Sequence, residues 1–222
     1  MRCLAWHDGA LYAGGCFDRA GEVAAVNIAR WDGSQWSAVG GGFPHQGWYE
    51  TDVYGLASCG GYLYAGGEFC VHCGSPADAI ARWDGTSWTQ PGDMSPDLVV
   101  RSLSCFEGSL YAGGNFTLIG GMSASHVARW DGSAWSPLGS GVGWIEDSGV
   151  WGLLPYRGDL VVSGNFVHAG AGFSSFIAHW AGVSAGISTP PRTTSRDRIT
   201  LRMPNPYRAG SRILVLGLDG DA

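Results

Sequence analysis

The sequence repeats itself, and this repeat is the feature that most limits what the chain can fold into. The segment "LYAGG" begins at Leu11, Leu63 and Leu110, with a diverged copy, "LVVSG", at Leu160. A second segment, "RWDG", begins at Arg30, Arg82 and Arg129, with "HWAG" at His179. The two segments are 19 residues apart in all four copies. A period of about 50 residues is typical of solenoids and propellers.

Each unit is predicted to contain four short strands. In the third unit, "RSLSCFEG" (101–108) predicts an apolar first strand that ends in a glycine turn, and "SLYAGG" predicts the second strand. "HVARW" and "AWSPL" predict the third and fourth strands. The segment between them, residues 131–133, favours a tight turn because Asp-Gly accepts positive φ angles. We therefore expect an all-β protein almost without helix: a β-propeller of four four-stranded blades, as a closed ring or a partial arc.

The repeated Arg, Trp and Asp residues are interpreted as parts of the building block. A catalytic group has no reason to recur in every unit, whereas Asp is favoured in turns by local hydrogen bonds. The Trp residues on either side of the turn can pack across the hairpin, and we expect the Arg side chains to bond to neighbouring carbonyls or carboxylates. This structural set is Arg30, Trp31, Asp32, Trp36, Arg82, Trp83, Asp84, Trp88, Arg129, Trp130, Asp131 and Trp135.

The segment "LYAGGNFTLIGGMSASHVARWDGSAWSPLG" resembles the kelch-like repeats of large bacterial secreted propellers. The double glycine after the second strand and the Trp after the third-strand turn carry the resemblance, which extends over residues 1–187. It implies a propeller fold and a role in binding or scaffolding, at the cell surface or secreted, although a fold alone does not select a function. No signal peptide is visible, and the first unit begins within its first strand, so we expect the chain to lack its true N-terminus.

The period divides the chain into repeats at about 1–50, 51–98, 99–148 and 149–187. The segment "STPPRTTSRDR" (188–198) predicts an extended linker. Residues 199–222, with "PNPYRAGSRI", resemble the opening of Ig-like C-terminal modules of bacterial secreted proteins, which are related to the flagellar hook-capping domain and to type IX sorting domains. Only two of the roughly seven strands of such a module are present, so we expect a truncated module there.

Charge restricts the partners that we expect. Residues 1–186 contain 7 Arg and 16 acidic residues, and residues 187–222 contain 6 Arg and 3 acidic residues. An acidic main part without a basic stripe offers little to a phosphate backbone, so no nucleic-acid partner is predicted. No apolar run approaches the roughly 18 residues of a membrane span, and no membrane insertion is predicted. We therefore expect a protein or a glycan as the binding partner.

A binding site is predicted on one end of the blades. In a meander, turns 1–2 and 3–4 lie at one end, and loops 2–3 and 4–1 lie at the other, which we call the long-loop face. Length varies only in the segments that join successive units, and two of these carry aromatic residues beside carboxylates. Such residues can stack on a sugar or grip a peptide, or they can simply cap the blade edges. The candidates are Trp48, Tyr49, Glu50, Asp52, Trp144, Glu146 and Asp147.

The cysteines leave several interpretations open. "CVHC" (70–73) is half a zinc site, and no second pair completes it, so no metal or cofactor is predicted. We expect a disulfide between Cys70 and Cys73, or from this pair to Cys16; free thiols are the alternative, followed by metal or redox chemistry. Three further cysteines lie on first strands and are expected to be small buried core residues. They are Cys3, Cys59 and Cys105.

No recognised catalytic motif is present, and the six histidines show no ligand spacing. The sequence therefore predicts a non-enzymatic, exported module that binds a partner or acts as a scaffold through its long-loop face. One alternative is a carbohydrate-directed oxidase or lyase on a kelch propeller, of which the copper oxidases need two His, tyrosines and a Cys on one axis. The other alternative is a structural surface adhesin.

Overall fold

The computed structural model describes residues 1–44, 51–69, 79–90, 96–143 and 148–181. By inter-residue contacts the chain divides into two units, Met1–Gly186 and Ile187–Ala222, and every described residue belongs to the first. The predicted all-β class is confirmed, because the described residues form antiparallel sheets and contain no helix. The hypotheses on residues 45–50, 70–78, 144–147 and 182–222 concern parts of the chain outside the described residues.

The strands are short, as is expected where glycine turns recur every few residues. In chain order the described strands are β1 (Cys3–His7), β2 (Ala10–Gly14), β3 (Arg19–Ala20), β4 (Val23–Ala24), β5 (Ile28–Trp31), β6 (Trp36–Ala38), β7 (Asp52–Cys59), β8 (Tyr62–Glu68), β9 (Ile80–Trp83), β10 (Trp88–Thr89), β11 (Val100–Phe106), β12 (Ser109–Gly114), β13 (Leu118–Ile119), β14 (Met122–Ser123), β15 (Val127–Trp130), β16 (Trp135–Pro137), β17 (Val142–Gly143), β18 (Gly149–Tyr156), β19 (Asp159–Asn165), β20 (His168–Ala169), β21 (Gly172–Phe173) and β22 (Ile177–Ala181).

Four main sheets follow the four sequence units and share one plan. Sheet 1 is β1-β2-β5-β6, sheet 2 is β7-β8-β9-β10, sheet 3 is β11-β12-β15-β16, and sheet 4 is β18-β19-β22. In each sheet the first strand pairs with the second and the second with the third. Sheets 1 to 3 add a fourth strand after the Asp-Gly turn. No closed ring of sheets is detected among the described residues.

The loops between second and third strands contain small hairpins that the sequence analysis did not predict. Strand β3 pairs with β4, β13 pairs with β14, and β20 pairs with both β21 and β17. In the third unit, Gly120 and Gly121 both have positive φ, which a two-residue hairpin turn requires. These hairpins give the long loops a fixed shape of their own.

The Asp-Gly turns and their flanking Trp residues form the same structure in three units. The two Trp rings of each hairpin face each other across the strands with centroids 5.3 to 5.5 Å apart. The Arg residues before them behave differently from expectation. Arg129 Nε donates to Ser109 Oγ at 3.1 Å, and the Arg82 guanidinium lies 4.4 Å from the centroid of the Tyr62 ring. Neither arginine makes the expected bond to a carbonyl or carboxylate of a described residue.

The core lies between consecutive sheets and not within any one of them. One cluster joins sheets 1 and 2, a second joins sheets 2 and 3, and a third joins sheets 3 and 4. The first glycine of each double glycine permits this packing. A Cβ at Gly66 would lie 2.7 Å from Cγ1 of Val100, and a Cβ at Gly113 would lie 2.3 Å from Cγ1 of Val150. A side chain at either position would push the next sheet away.

Cys59 and Cys105 form a disulfide with a Cα–Cα distance of 5.3 Å. Cys59 is buried as expected and Cys105 is partly buried, but the bond between them was not predicted. They lie on the first strands of sheets 2 and 3, and the packing of these sheets brings them together across 46 residues of sequence. Cys3 and Cys16 carry free thiols, and Cys16 has no disulfide to any described residue. Burial raises the pKa of the Cys3 thiol to about 12.

Candidate functional site: a pocket built from β-bulges

The first strands of sheets 2, 3 and 4 each contain a β-bulge at the same repeat position. The pairing with the second strand skips Tyr54, Arg101 and Trp151. Arg2 occupies this position in the first unit, directly before β1. A bulged residue has no partner in the ladder, and its side chain is turned away from the regular alternation of the strand. One long side chain per unit is therefore aimed away from the sheet.

The second glycine of each double glycine makes room for the bulge. A Cβ at Gly67 would lie 2.1 Å from the carbonyl oxygen of Asp52, and a Cβ at Gly114 would lie 2.1 Å from that of Val99. Each of these carbonyls belongs to the residue two positions before a bulged residue. The two glycines therefore have different roles. The first leaves space for the next sheet, and the second leaves space for the backbone of the bulged strand.

The four residues at this repeat position converge on one cavity of about 610 Å³, here called the bulge pocket. This volume is within the range of roughly 300–1,000 Å³ that is typical of small-molecule sites. The bulges lie near the starts of first strands, and the two asparagines of the pocket lie where second strands end, so the pocket opens on the long-loop face. Its lining residues are Arg2, Tyr54, Arg101, Asn115, Trp151 and Asn165.

Both arginines of the pocket are held through Nε. Arg2 Nε donates to Asp52 Oδ2 at 2.9 Å, and Asp52 is only 4% exposed. Arg101 Nε donates to Asn115 Oδ1 at 2.6 Å, and Asn115 Nδ2 donates in turn to the carbonyl of Ser148 at 3.3 Å. No residue in the described part of the chain bonds to the terminal Nη atoms of either arginine. The Nε bonds therefore orient both guanidinium groups, and their Nη atoms remain available to a ligand.

The aromatic residues give the pocket apolar walls. The guanidinium carbons of Arg2 and Arg101 lie 5.7 and 5.3 Å from the centroid of the Tyr54 ring, within the range of cation–π contact. Burial raises the pKa of Tyr54, as do the negative charges of Asp52 and Glu68, so its phenol is neutral at neutral pH. Trp151 is 59% exposed, and an exposed indole in a cavity wall is an available stacking surface.

The charges in the pocket are unequally compensated. The carboxylate of Asp52 neutralises Arg2, and the partner of Arg101 is the neutral amide of Asn115. Glu68 is exposed at the same edge and forms no ion pair with a described residue. Arg101 therefore keeps a positive charge that no directly bonded carboxylate cancels.

The sequence analysis identified Asp52 but missed the six lining residues. Of the seven predicted candidates, only Asp52 is among the described residues, and it orients Arg2 from a buried position and does not line the cavity. Four of the six were missed because their shared repeat position holds three different residue types: Arg2, Tyr54, Arg101 and Trp151. The available signal was positional, since each of the four is nine residues before a second-strand leucine.

Comparison with the models of known protein families found no match, and comparison with the curated proteins found none either. Within the described ranges, no three His, Cys, Asp or Glu side chains are grouped so that they could hold a metal ion. The same residues include no helix long and apolar enough to cross a membrane.

Proposed function

We propose that this chain is a kelch-like β-propeller segment that acts as an exported, non-enzymatic binding module, and that the bulge pocket is its binding site. The observation that carries the proposal is the convergence of one long polar or aromatic side chain from each of four units on one cavity. Separate observations support the propeller assignment, the export and the binding role.

The propeller assignment is supported by how the first strands pack. Strand β7 contacts β1 and β2, β11 contacts β7 and β8, and β18 contacts β11 and β12. Each first strand is thus next to the first strands of the neighbouring sheets, as in blades arranged around an axis. A pocket formed by bulges on these strands is then located at the mouth of the axis, on the long-loop face.

Export is supported by the disulfide between Cys59 and Cys105. Disulfides persist in oxidising compartments, such as the periplasm and the cell exterior, and are rare in the reducing cytosol. A disulfide that joins the first strands of two packed sheets is a structural bond of the kind that secreted proteins use.

Binding is favoured over catalysis by the chemistry of the lining. Two guanidinium groups, a neutral phenol, an indole and two amides can orient and hold a ligand. A general base near neutral pH needs a group with a suitable pKa, and burial moves the pKa of Tyr54 away from that range. The groups that line the pocket are therefore suited to recognition of a ligand.

A glycan and peptide array with two tryptophan variants tests the proposal. We expect the wild type to retain at least one ligand and Trp151→Ala to lose it, because the indole forms a wall of the pocket. Trp6→Ala is the matched control: Trp6 is also an exposed tryptophan on a first strand, but it is near the opposite end of its strand. Equal loss in both variants, or in neither, would place the binding elsewhere and contradict the proposal.

A further inference from the structure

We propose that the bulge pocket binds the carboxylate of a sugar acid, so that the module recognises an acidic glycan. This inference rests on the proposed function, since it names the ligand class of the same pocket. It is carried by the combination, within one cavity, of a guanidinium held by a neutral partner, an exposed indole face and a phenol hydroxyl.

The anionic part of the ligand is argued from Arg101. A guanidinium presents planar, forked N–H donors that match a carboxylate in a two-point hydrogen bond. Because Nε of Arg101 donates to Asn115 Oδ1, the pair of Nη atoms at the end of the guanidinium is left for a two-point hydrogen bond. Arg2 is fixed in the same manner by Asp52 and offers a second fork. The pocket therefore favours a negative charge of limited size, located between two oriented donors.

The sugar part of the ligand is argued from Trp151 and Tyr54. The face of a pyranose ring has C–H groups that pack on an aromatic ring, while its hydroxyls require polar partners at the edge. Trp151 provides an exposed ring in the wall. The hydroxyl of Tyr54 forms no hydrogen bond with a described residue and can donate or accept, since its raised pKa keeps it protonated. A cavity of about 610 Å³ has room for a short saccharide.

The geometry favours a glycan over an acidic peptide. Extended peptides are most often bound by addition to an exposed strand edge, where backbone groups are free. The first strands that form the bulge pocket are edge strands of their sheets, but consecutive first strands contact each other, which limits the room for an added strand beside them. A polyphosphate is also disfavoured, because Arg101 alone of the two pocket arginines has an uncharged bonded partner, whereas Arg2 is paired with Asp52.

Isothermal titration with trigalacturonic acid and with its methyl ester tests the inference. The two probes share their rings and hydroxyls and differ in charge. We expect the acid to bind and the ester to bind at least 10-fold more weakly, because a charge-assisted hydrogen bond is lost. Affinity for the acid should also fall as the NaCl concentration rises. Equal affinity for the two probes would overturn the assignment of the carboxylate.

Two arginine variants locate the effect. Arg101→Gln should weaken binding of the acid about 10-fold or more and leave the weak affinity for the ester unchanged. Arg157→Gln is the matched control, since Arg157 also lies over a tyrosine ring, at 5.3 Å from the Tyr156 centroid, but in the turn at the other end of sheet 4. It should bind like the wild type. Circular dichroism and the melting temperature of each variant show that the fold is kept.

The remaining outcomes separate this inference from the proposed function. If trigalacturonic acid does not bind but another array ligand does, and Trp151→Ala loses that ligand, the sugar acid is wrong and the binding module stands. If a glutamate hexapeptide replaces trigalacturonic acid with the same dependence on Arg101, the anion is right and the sugar is wrong. If the acid binds Arg101→Gln as tightly as the wild type, the assignment of the carboxylate is wrong. If Trp151→Ala also keeps its affinity for the acid, the bulge pocket is not the site and both proposals fail.

Discussion

At the scale of single residues, the aspartates of the Asp-Gly turns show how one carboxylate fixes a hairpin. Asp32 Oδ1 accepts from the backbone N–H of Ser34 at 2.8 Å and of Gln35 at 2.9 Å, and also from Ser34 Oγ. Asp84 and Asp131 make the corresponding bonds in the next two units. Each of these bonds favours the ionised carboxylate. The backbone donors therefore lower the pKa of Asp32 and Asp131 to about 2, and that of Asp84 is lowered as well.

The first prediction is the acid dependence of these turns. Because the pKa of each carboxyl is lower in the folded chain than in the unfolded chain, the stabilisation is complete above about pH 4. It is lost as the pH falls from about 4 towards the folded pKa of about 2. Carboxyl ¹³C NMR titration should give midpoints near 2 for Asp32 and Asp131. The urea-unfolded chain is the control, and midpoints of about 3.9 in both states would contradict the prediction.

At the scale of elements, one pair of repeat positions joins neighbouring first strands by two different kinds of bond. Between sheets 1 and 2, His7 Nδ1 and Ser58 Oγ share a hydrogen bond of 2.8 Å. Between sheets 2 and 3, the same positions hold the disulfide of Cys59 and Cys105. Between sheets 3 and 4 they are Phe106 and Pro155. The pair of positions therefore joins sheets 1 and 2 by a hydrogen bond and sheets 2 and 3 by the disulfide.

The second prediction concerns this disulfide. In the chain-entropy picture, a bond that closes a loop of 46 residues stabilises the folded state by about 4 kcal/mol. The double variant Cys59→Ser with Cys105→Ser should lose about that much free energy of unfolding, measured by urea denaturation. Cys16→Ser is the control, because Cys16 is exposed, and it should match the wild type. An unchanged urea midpoint after reduction of the wild type would contradict the prediction.

The third prediction tests the second glycine of the double glycine. Gly114→Ala places a Cβ 2.1 Å from the carbonyl oxygen of Val99, and backbone cannot move away at low cost. We expect a loss of about 3 kcal/mol or more of stability, as for an overpacked core position, and loss of ligand binding because Arg101 is displaced. Gly143→Ala is the matched control, since its nearest neighbours are 3.9 Å away and its φ is not positive. Equal tolerance of both variants in thermal denaturation would show that the bulge does not depend on this glycine.

At the scale of the whole molecule, the two end sheets expose apolar positions that the inner sheets bury. Leu4 of sheet 1 is 50% exposed, whereas its counterpart Leu103 of sheet 3 is 7% exposed because sheet 2 covers it. At the other end, Leu154 and Ile177 of sheet 4 are exposed, whereas the counterparts of Ile177 in the three preceding sheets are fully buried. Equivalent residues in the repeat thus contribute differently according to the sheet that they occupy.

The fourth prediction compares equivalent leucines. Leu103→Ala should cost about 2–5 kcal/mol of unfolding free energy, as is usual for a buried leucine. Leu4→Ala should cost about 1 kcal/mol or less, because half of its side chain is already in contact with water. Chemical denaturation of both variants measures the difference. Equal costs would mean that Leu4 is covered in solution, and the end face of sheet 1 would then be an interface.

The sequence determined the strands, their order and their turns. The alternation in "LYAGG" and the Asp-Gly turns act over a few residues, so local chemistry is enough to predict the antiparallel sheets and the Trp pairs. It does not explain why glycine is needed after the second strand, because the atoms that exclude a side chain there belong to the next sheet and to the bulged strand. The small hairpins β3–β4 and β13–β14 were missed because two-residue strands give no periodic signal.

Only the tertiary structure decided which distant residues meet. Cys59 bonds to Cys105, and Arg101 is next to Tyr54 and Trp151, because consecutive sheets place their first strands side by side. These partners are separated by about one repeat, and no local pattern indicates which side chain of one unit faces which of the next. The bulges increase this uncertainty, since a single skipped residue reverses the face to which a side chain points. The pocket therefore exists only once the sheets have packed, whereas each hairpin is already specified by its own few residues.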